Sequence, residues 1–298
     1  MSNMKFTGIL PAFVTPFHED NKTVNEEAAK KLLDLHLEQG ANGFYIVGGT
    51  GEGLVMGREE RERMCEICVN HVAKRKPIID HIASMNLNEA IELAKHAERV
   101  GADAIAAVPP SFFYYSEDDI FNYYKKLADS VSIPMIIYYH PAAQKDMSAK
   151  LIARIFEIDN VTGVKWSSNN FFELMKLKDM THGEMNIING PDELLVTGLA
   201  AGADAGIGST YNVMLPEFIK IYDYFKSGQM DKALATQMKV NRVIDALLKF
   251  EVIPSVKHAL KMMGHDCGTA TFPMKQYVGS EADALETALK EAGWPFNN

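Results

Sequence analysis

Short apolar runs alternate with longer amphipathic stretches along the whole chain. The runs are rich in β-branched residues and are apolar at successive positions, as in parallel strands covered on both faces. We count eight such runs, at residues 9–17, 43–48, 77–83, 104–110, 134–140, 162–167, 185–191 and 205–210. The stretches between them have helical periodicity, for example at residues 25–39, 86–100, 116–129, 148–156 and 192–201. This alternation predicts repeated β-strand–α-helix units that share one parallel sheet.

The residues at the ends of the predicted helices and the connections between the units favour one closed barrel. Several predicted helices begin after Asn, Ser or Asp and end in glycine, which are the residues that cap helices. Eight units without a weak linker favour a single (β/α)₈ barrel over an open doubly wound sheet. We expect a barrel core at residues 1–215, and the last barrel helix with a C-terminal helical extension of the same domain at 216–298. Within that extension, helices are predicted at residues 231–250, 254–263 and 281–291.

Composition narrows the class of partner. The 298 residues are 47% hydrophobic and 23% charged, which is typical of a globular protein. Thirty Lys and Arg against 39 Asp and Glu give a net charge of −9, which disfavours nucleic acid and favours a small-molecule ligand. No run approaches the roughly 18 apolar residues of a membrane span, and residues 1–6 lack the apolar stretch of a secretory signal. We therefore expect a cytoplasmic protein without a membrane partner.

The three cysteines do not form a recognisable framework. Cys65 and Cys68, followed by His71, match half of a zinc or redox motif, but no second ligand pair follows and Cys267 is distant in sequence. Because the surrounding stretch has a helical period, we expect a buried thiol face and no metal site.

A glycine-rich turn follows the second predicted strand. Gly48-Gly-Thr-Gly-Glu-Gly53 leads towards a helix and can present several backbone N–H groups to an anion. Its spacing fits neither a Walker loop nor a dinucleotide fingerprint, so a carboxylate or a small phosphate is the expected ligand. The alternative is a tight turn whose glycines are needed for positive φ.

Two strands carry candidate catalytic groups. Lys165 lies within the apolar sixth run, where an unpaired lysine has a depressed pKa and becomes a nucleophilic amine suited to Schiff-base chemistry. The alternative is a lysine held in a salt bridge inside the barrel. The fifth run ends with Tyr138, Tyr139 and His140, of which Tyr138 is a candidate proton carrier and His140 a hydrogen-bonding residue at the rim.

The last two strands end in polar or small residues. Asp192 and Glu193 follow the seventh run, where adjacent carboxylates suit a hydroxyl-rich ligand, although Asp192 is equally suited to cap the next helix. Ser209, near the end of the eighth run, is a further candidate donor in a segment of small residues.

These motifs together resemble a known superfamily. They occur in the order of the N-acetylneuraminate lyase and dihydrodipicolinate synthase superfamily of class I aldolases, over nearly the whole chain. The matching segments are Gly48-Gly-Thr-Gly-Glu52, Tyr138 three residues before Pro141, Gly163-Val-Lys165, Gly190-Pro-Asp-Glu193, Gly206-Ile-Gly-Ser-Thr-Tyr-Asn212 and Pro254-Ser-Val-Lys-His-Ala-Leu260. The resemblance implies a barrel that assembles as a homotetramer and needs neither a metal nor an organic cofactor.

The resemblance also implies a role for each candidate residue. Lys165 is expected to form the Schiff base with a 2-oxo acid, Tyr138 to relay the proton, and Thr50 with Gly49 to bind the carboxylate. The remaining expected contacts, to the sugar portion of the substrate, are Ser167, Gly190, Asp192, Glu193 and Ser209.

Within the superfamily, the sialic acid lyases are the more similar branch, which implies cleavage of N-acetylneuraminate into pyruvate and N-acetylmannosamine. The synthase branch carries an arginine shortly after the strand-five proline, and residues 141–146 contain none. It also carries a tyrosine after the strand-four proline, where this chain has phenylalanine at 112 and 113. The alternatives are an aldolase for a 2-keto-3-deoxy sugar acid, a dihydrodipicolinate synthase-like enzyme and a non-catalytic sensor of 2-oxo acids.

Two positions depart from the family pattern. Gly49 stands where the family carries Ser or Thr, whose hydroxyl contacts the carboxylate, and we expect Tyr139 or a water to replace that hydroxyl. Trp166 follows Lys165 directly, and we expect this bulky side chain to alter the shape of the pocket.

Overall fold

The computed structural model describes residues 5–143 and 147–296. Eight parallel strands form one sheet in the order β1-β8-β7-β6-β5-β4-β3-β2. They are β1 (Gly8–Pro11), β2 (Phe44–Ile46), β3 (Ile78–His81), β4 (Ala104–Ala107), β5 (Met135–Tyr139), β6 (Val161–Trp166), β7 (Asn186–Asn189) and β8 (Ala205–Gly208). A parallel bridge between Ala12 and Tyr45 joins the two remaining edges. The predicted (β/α)₈ barrel is therefore confirmed.

Helices follow every strand. They are α1 (Glu26–Glu38), α2 (Arg58–Val72), α3 (Leu87–Val100), α4 (Glu117–Ala128), α5 (Ala149–Phe156), α6 (Phe171–Met180), α7 (Leu195–Ala200) and α8 (Tyr211–Lys226). The predicted caps Asn25, Asn86, Ser116 and Ser148 each accept a hydrogen bond from a first-turn amide. These caps explain why four helices begin where the sequence predicts.

The C-terminal extension consists of α9 (Met230–Leu248), α10 (Val252–Met262) and α11 (Ser280–Glu291), close to the three predicted helices. The last barrel helix, α8, begins at Tyr211 and contains Pro216. Its backbone leaves the helical region at Met214, two residues before the proline, as expected where a proline removes a hydrogen bond.

The cysteine-containing helix packs against the barrel. Cys65 and Cys68 are fully buried on α2, and burial raises the pKa of both thiols. His71 contacts Asp34, with 2.8 Å between Nε2 and Oδ1. The complete burial of Cys65 and Cys68 confirms the predicted buried thiol face. In the described part of the chain no group of three or more His, Cys, Asp and Glu side chains lies close enough together to hold a metal ion. No helix in these residues is long and apolar enough to cross a membrane.

Candidate active site

A cavity of about 220 Å³ opens at the carboxyl ends of the strands, where barrel enzymes place their chemistry. Seven of the nine predicted site residues line it: Thr50, Tyr138, Lys165, Ser167, Gly190, Glu193 and Ser209. Gly49 and Asp192 are absent from the lining, and Asn169 is a polar lining residue that the sequence reading missed. A larger cavity of about 850 Å³ lies beside α10 and contains none of the predicted residues.

Lys165 lies in the barrel interior with only 5% of its surface exposed. Its Nζ is 4.1 Å from the ring centroid of Tyr138 and 4.5 Å from that of Tyr45. Among residues 5–143 and 147–296, no carboxylate oxygen lies within 4.0 Å of this nitrogen, so the salt-bridge alternative is wrong. Aromatic faces attract a cation without supplying a counter-charge. The amine is therefore enclosed by rings that leave it free to meet a carbonyl carbon.

The register between β5 and β6 decides which side chains enter the cavity. Tyr138 lies opposite Lys165, and Tyr139 lies opposite Trp166. Because side chains alternate along a strand, the first pair points inward and the second points to the helices, where the Tyr139 and Trp166 rings are 4.9 Å apart. The expectations that Tyr139 replaces the missing hydroxyl and that Trp166 alters the pocket are therefore wrong.

Tyr45 on β2 and His81 on β3 pack against the Tyr138 ring, and sequence reasoning missed both. Their ring centroids each lie 5.8 Å from that of Tyr138. His81 Nε2 faces the backbone N–H of Val108 at 3.4 Å, and Nδ1 lies 3.2 Å from the carbonyl of Val47. Burial lowers the pKa of His81 to about 3, so the ring is neutral. The available signal was a polar ring in a short buried strand, with apolar neighbours for Tyr45 on β2 and with Asp80 beside His81 on β3.

The glycine-rich turn is shaped by close packing. Positive φ falls on Val47 (+55°) and Glu52 (+60°), and none of the glycines of the turn adopts it. A Cβ at Gly53 would overlap the Val47 carbonyl oxygen, and one at Gly51 would lie 2.9 Å from the carbonyl oxygen of Phe13. The interpretation that these glycines supply positive φ is therefore wrong. Gly51 and Gly53 are needed because other backbone segments approach too closely for a side chain.

Thr50 joins the turn to the end of β8. Its Oγ1 lies 2.7 Å from Oγ of Ser209, so the hydroxyls that follow β2 and β8 touch. Asn212, which is buried, donates to the carbonyls of Ser209 and Ala12 at 2.8 and 2.7 Å. Gly49 is exposed, and a Cβ built there meets nothing within 4 Å. The helix α2 begins only at Arg58, so its amino terminus is separated from the turn.

Asp192 has a structural partner, Thr210, and neither residue lines the cavity. Its Oδ2 accepts hydrogen bonds from the backbone N–H and the hydroxyl of Thr210, at 2.8 and 2.7 Å. The alternative role as a helix cap is wrong, because a short 3₁₀ turn, Asp192–Leu194, intervenes before α7 and Pro191 occupies the cap position without a side-chain bond. Burial raises the pKa of Asp192 to about 6. Its carboxylate thus fixes the end of β8.

Gly190 and Ser167 meet at the ends of adjacent strands. A Cβ at Gly190 would overlap Oγ of Ser167, so only glycine allows both residues to line the cavity. His140 also lines it, and its Nδ1 accepts a hydrogen bond from the Ala142 amide at 3.1 Å. Burial, aided by the nearby Lys165 charge, lowers the pKa of His140. A neutral His140 is therefore a hydrogen-bonding residue at the rim, as expected.

The fold and this cavity define a (β/α)₈-barrel enzyme of the lyase class, with one buried lysine at the carboxyl ends of its strands. The dihydrodipicolinate synthetase family model matches residues 5–292, and the chain belongs to that family. The resemblance noted from the sequence motifs is thereby confirmed.

The chain is similar both to N-acetylneuraminate lyases and to a dihydrodipicolinate synthase. The N-acetylneuraminate lyase of Rhizobium meliloti is 30% identical over 286 residues, covering 96% of this chain and 95% of the relative. CdNal from Clostridium difficile, crystallised with mannosamine, has a TM-score of 0.92 at 28% identity, covering 97% of this chain and all of the other. A dihydrodipicolinate synthase from Bacillus anthracis has the same TM-score at 26% identity, covering 96% and 98%. The fold therefore does not separate the two activities.

Proposed function

We propose that this protein is a class I aldolase that forms a Schiff base between Lys165 and a 2-oxo acid. The observation that carries the proposal is the placement of Nζ, which lies between two aromatic rings, within a cavity, and without a carboxylate partner in the described residues. A lysine so placed has no evident structural task, whereas a carbonyl carbon that enters the cavity would meet it directly.

The reaction proceeds by transfer of electrons into the imine. The amine of Lys165 adds to the C2 carbonyl, and loss of water gives a protonated imine. Removal of the proton from the C4 hydroxyl breaks the C3–C4 bond, the aldehyde departs, and the bonding pair flows into the imine to form an enamine. Protonation at C3 and hydrolysis then release pyruvate and the free lysine. Tyr138, whose ring contacts Nζ, is the proposed carrier of these protons.

The glycine-rich turn is the proposed carboxylate site. Thr50 lines the cavity, and its hydroxyl contacts Ser209. The hydroxyl of Thr50 and the amides at Gly49 and Thr50 are the donors that would bind the C1 carboxylate, leaving C2 turned towards Lys165. Because Gly49 has no hydroxyl and Tyr139 faces away, a water in the open space at Gly49 is the proposed replacement in the proton relay.

N-acetylneuraminate is the proposed substrate, with pyruvate and N-acetylmannosamine as products. The names of the Rhizobium meliloti and Clostridium difficile relatives support this choice, as do the polar groups beyond the lysine. Ser167, Gly190, Glu193 and Ser209 line the cavity there, and Asp192 holds Thr210 next to Ser209. The side-chain oxygens of Ser167, Glu193 and Ser209 suit the hydroxyl-rich tail of the sugar acid.

A related pyruvate-dependent aldolase or synthase is the second candidate. It is favoured by the structural similarity to the Bacillus anthracis synthase. Against the synthase stands the sequence, which has no arginine at residues 141–146, although 144–146 lie outside the described residues. A 2-keto-3-deoxy sugar acid aldolase would use the same lysine with a shorter tail. We further propose a cytoplasmic homotetramer whose protomer is one domain, with the barrel core at 1–215 and the helical extension at 216–298.

Two experiments test this function. Incubation with pyruvate and borohydride should add a reduced adduct at Lys165, identified by peptide mass spectrometry, and Lys165→Ala should neither be labelled nor turn over substrate. A Lys165→Ala protein that retained turnover would refute the proposal. Pyruvate release from N-acetylneuraminate and 2-keto-3-deoxygluconate then identifies the substrate. Glu193→Gln, at a residue that lines the cavity, should cripple only an enzyme that acts on the hydroxyl-rich tail, whereas a sensor would release no pyruvate from either compound.

A further inference from the structure

We infer that Lys257, on α10 outside the barrel, is a positioning residue that holds the carboxylate-binding turn through Glu52. The inference rests on the proposed function, because it assigns Lys257 a task in binding the 2-oxo acid. Nζ of Lys257 lies 2.6 Å from Oε1 of Glu52, an ion pair in which the two side chains are 1% and 0% exposed. Lys257 does not line the 220 Å³ cavity that contains Lys165, so it has no direct contact with the proposed substrate site.

Glu52 occupies an unfavourable backbone conformation next to the proposed ligand. Its φ of +60° lies in the left-handed region that non-glycine residues avoid, and it is two residues from Thr50. The second carboxylate oxygen accepts hydrogen bonds from the backbone N–H and the hydroxyl of Thr271, at 2.7 and 2.8 Å. Such a conformation persists only where surrounding contacts hold it. Here those contacts come from the C-terminal extension.

Lys257 is itself held by three separate segments. Besides Glu52, its Nζ donates to the carbonyl of Thr269 at 3.1 Å and lies 4.4 Å from the ring centroid of Phe17. A buried ion pair tolerates little displacement, since separating its partners leaves an uncompensated charge. The position of Glu52, and through it that of Thr50, is therefore tied to α10 and to the segment after it.

The remainder of the turn is fixed independently of this pair. Thr15 donates its hydroxyl to the carbonyl of Gly51 at 2.6 Å, and His81 contacts the carbonyl of Val47 at 3.2 Å. Because the Gly51 carbonyl lies between Thr50 and Glu52, its bond to Thr15 limits how far Thr50 moves. Loss of Lys257 should therefore shift Glu52 most and Thr50 less, while Lys165, on β6, keeps its place. The expected defect is specific to the substrate carboxylate.

The chain offers a matched control. Lys239 also pairs with a buried glutamate, Glu217, at 3.2 Å and lies 4.0 Å from the ring centroid of Phe296. This pair joins α8 to α9 and contacts neither the turn nor the cavity. Lys239→Met therefore removes one charge and one aromatic contact without touching the carboxylate site, while Glu217 keeps its ion pair with Lys220 at 2.8 Å.

The test compares two ketones in borohydride trapping at Lys165. Pyruvate carries a carboxylate and acetone does not, so only pyruvate should report on the turn. In Lys257→Met we expect the half-saturating pyruvate concentration to rise at least tenfold and that of acetone to change less than twofold. Lys239→Met should alter neither value. Thr271→Val is a milder variant that removes one hydroxyl donor to Glu52. It should raise the half-saturating pyruvate concentration about threefold, and it replaces Lys257→Met in the test if that variant does not fold.

The outcomes separate the two proposals. Unchanged pyruvate trapping in Lys257→Met, or in Thr271→Val where the former does not fold, would overturn the positioning role. Equal losses for pyruvate and acetone would also overturn it, because they indicate a general structural defect. Absence of any adduct in the unmodified protein would overturn the proposed function, and the positioning role with it.

Discussion

The pKa of Asp80 tests whether burial or the nearby Arg61 charge has the larger effect on this carboxyl group. Asp80 lies on β3 with 4% of its surface exposed, and burial raises its pKa from 3.8 to about 6 although the Arg61 guanidinium favours the ionised form. The folded protein therefore retains a proton that the unfolded chain has already lost. Stability should fall as pH rises from about 4 to about 6, and the deficit should stay constant at higher pH.

The magnitude follows from the size of the shift. Two pKa units correspond to about 3 kcal/mol of unfavourable free energy for the ionised folded form at neutral pH. Asp80→Asn removes the charge and keeps the shape, and Arg61 retains its hydrogen bonds to the carbonyls of His81 and Ala83, both 2.8 Å. We expect the variant to be more stable by up to about 3 kcal/mol at pH 7 and by less than about 1 kcal/mol at pH 4.

Urea unfolding of both proteins at pH 4 and pH 7 measures this difference. Asp192, whose pKa burial also raises to about 6, contributes equally to both proteins and cancels. Asp245→Asn, an exposed site on α9, controls for the change in net charge. A variant that is less stable than the parent at pH 7, or whose advantage is the same at both pH values, would show that attraction to Arg61 outweighs burial and would refute the reasoning.

Three further substitutions probe the cavity. Gly49→Ser should leave the unfolding free energy within about 0.5 kcal/mol, since a Cβ there meets nothing; a larger loss by urea unfolding would contradict the open space. Gly190→Ala should destabilise by about 1–3 kcal/mol and lower turnover, because its methyl group overlaps Ser167 Oγ; wild-type turnover would contradict this contact. Tyr45→Phe removes a buried hydroxyl without a partner in the described residues, so stability should rise by about 1 kcal/mol with pyruvate trapping at Lys165 intact; lost trapping would assign the hydroxyl a role.

The fold could be predicted because its evidence is repeated eight times. Each apolar run and each cap adds to the same conclusion, and an error in one unit does not alter the count. Strand ends were predicted less well. The first run, at 9–17, becomes a strand only at Gly8–Pro11, because Phe13 and Val14 are buried in the segment that follows β1 and apolar content alone cannot distinguish the two.

The candidate site could be predicted where a residue type carries the chemistry. A lysine in an apolar strand stands out. Tyr139 and Trp166 were placed wrongly because the side of the sheet to which their side chains point depends on strand register, which a continuous apolar run does not reveal. Glu52 and Lys257 pair across 205 positions of sequence, and no local pattern connects them. Contacts of this kind become visible only when the barrel is closed.

The barrel closes between β1 and β2, where no strand ladder forms. Their backbones are joined at the Ala12–Tyr45 bridge, where the Phe13 N–H donates to the Tyr45 carbonyl at 2.8 Å, and at the Asn42 N–H, which donates to the Ile9 carbonyl at 2.9 Å. Every other neighbouring pair of strands forms a ladder of at least two residue pairs, so we expect moderate heating to open the ring first between β1 and β2, next to Tyr45. Heat-aged samples should accordingly lose turnover while their circular dichroism still looks native, which makes spectroscopy a poor shelf-life assay for this enzyme.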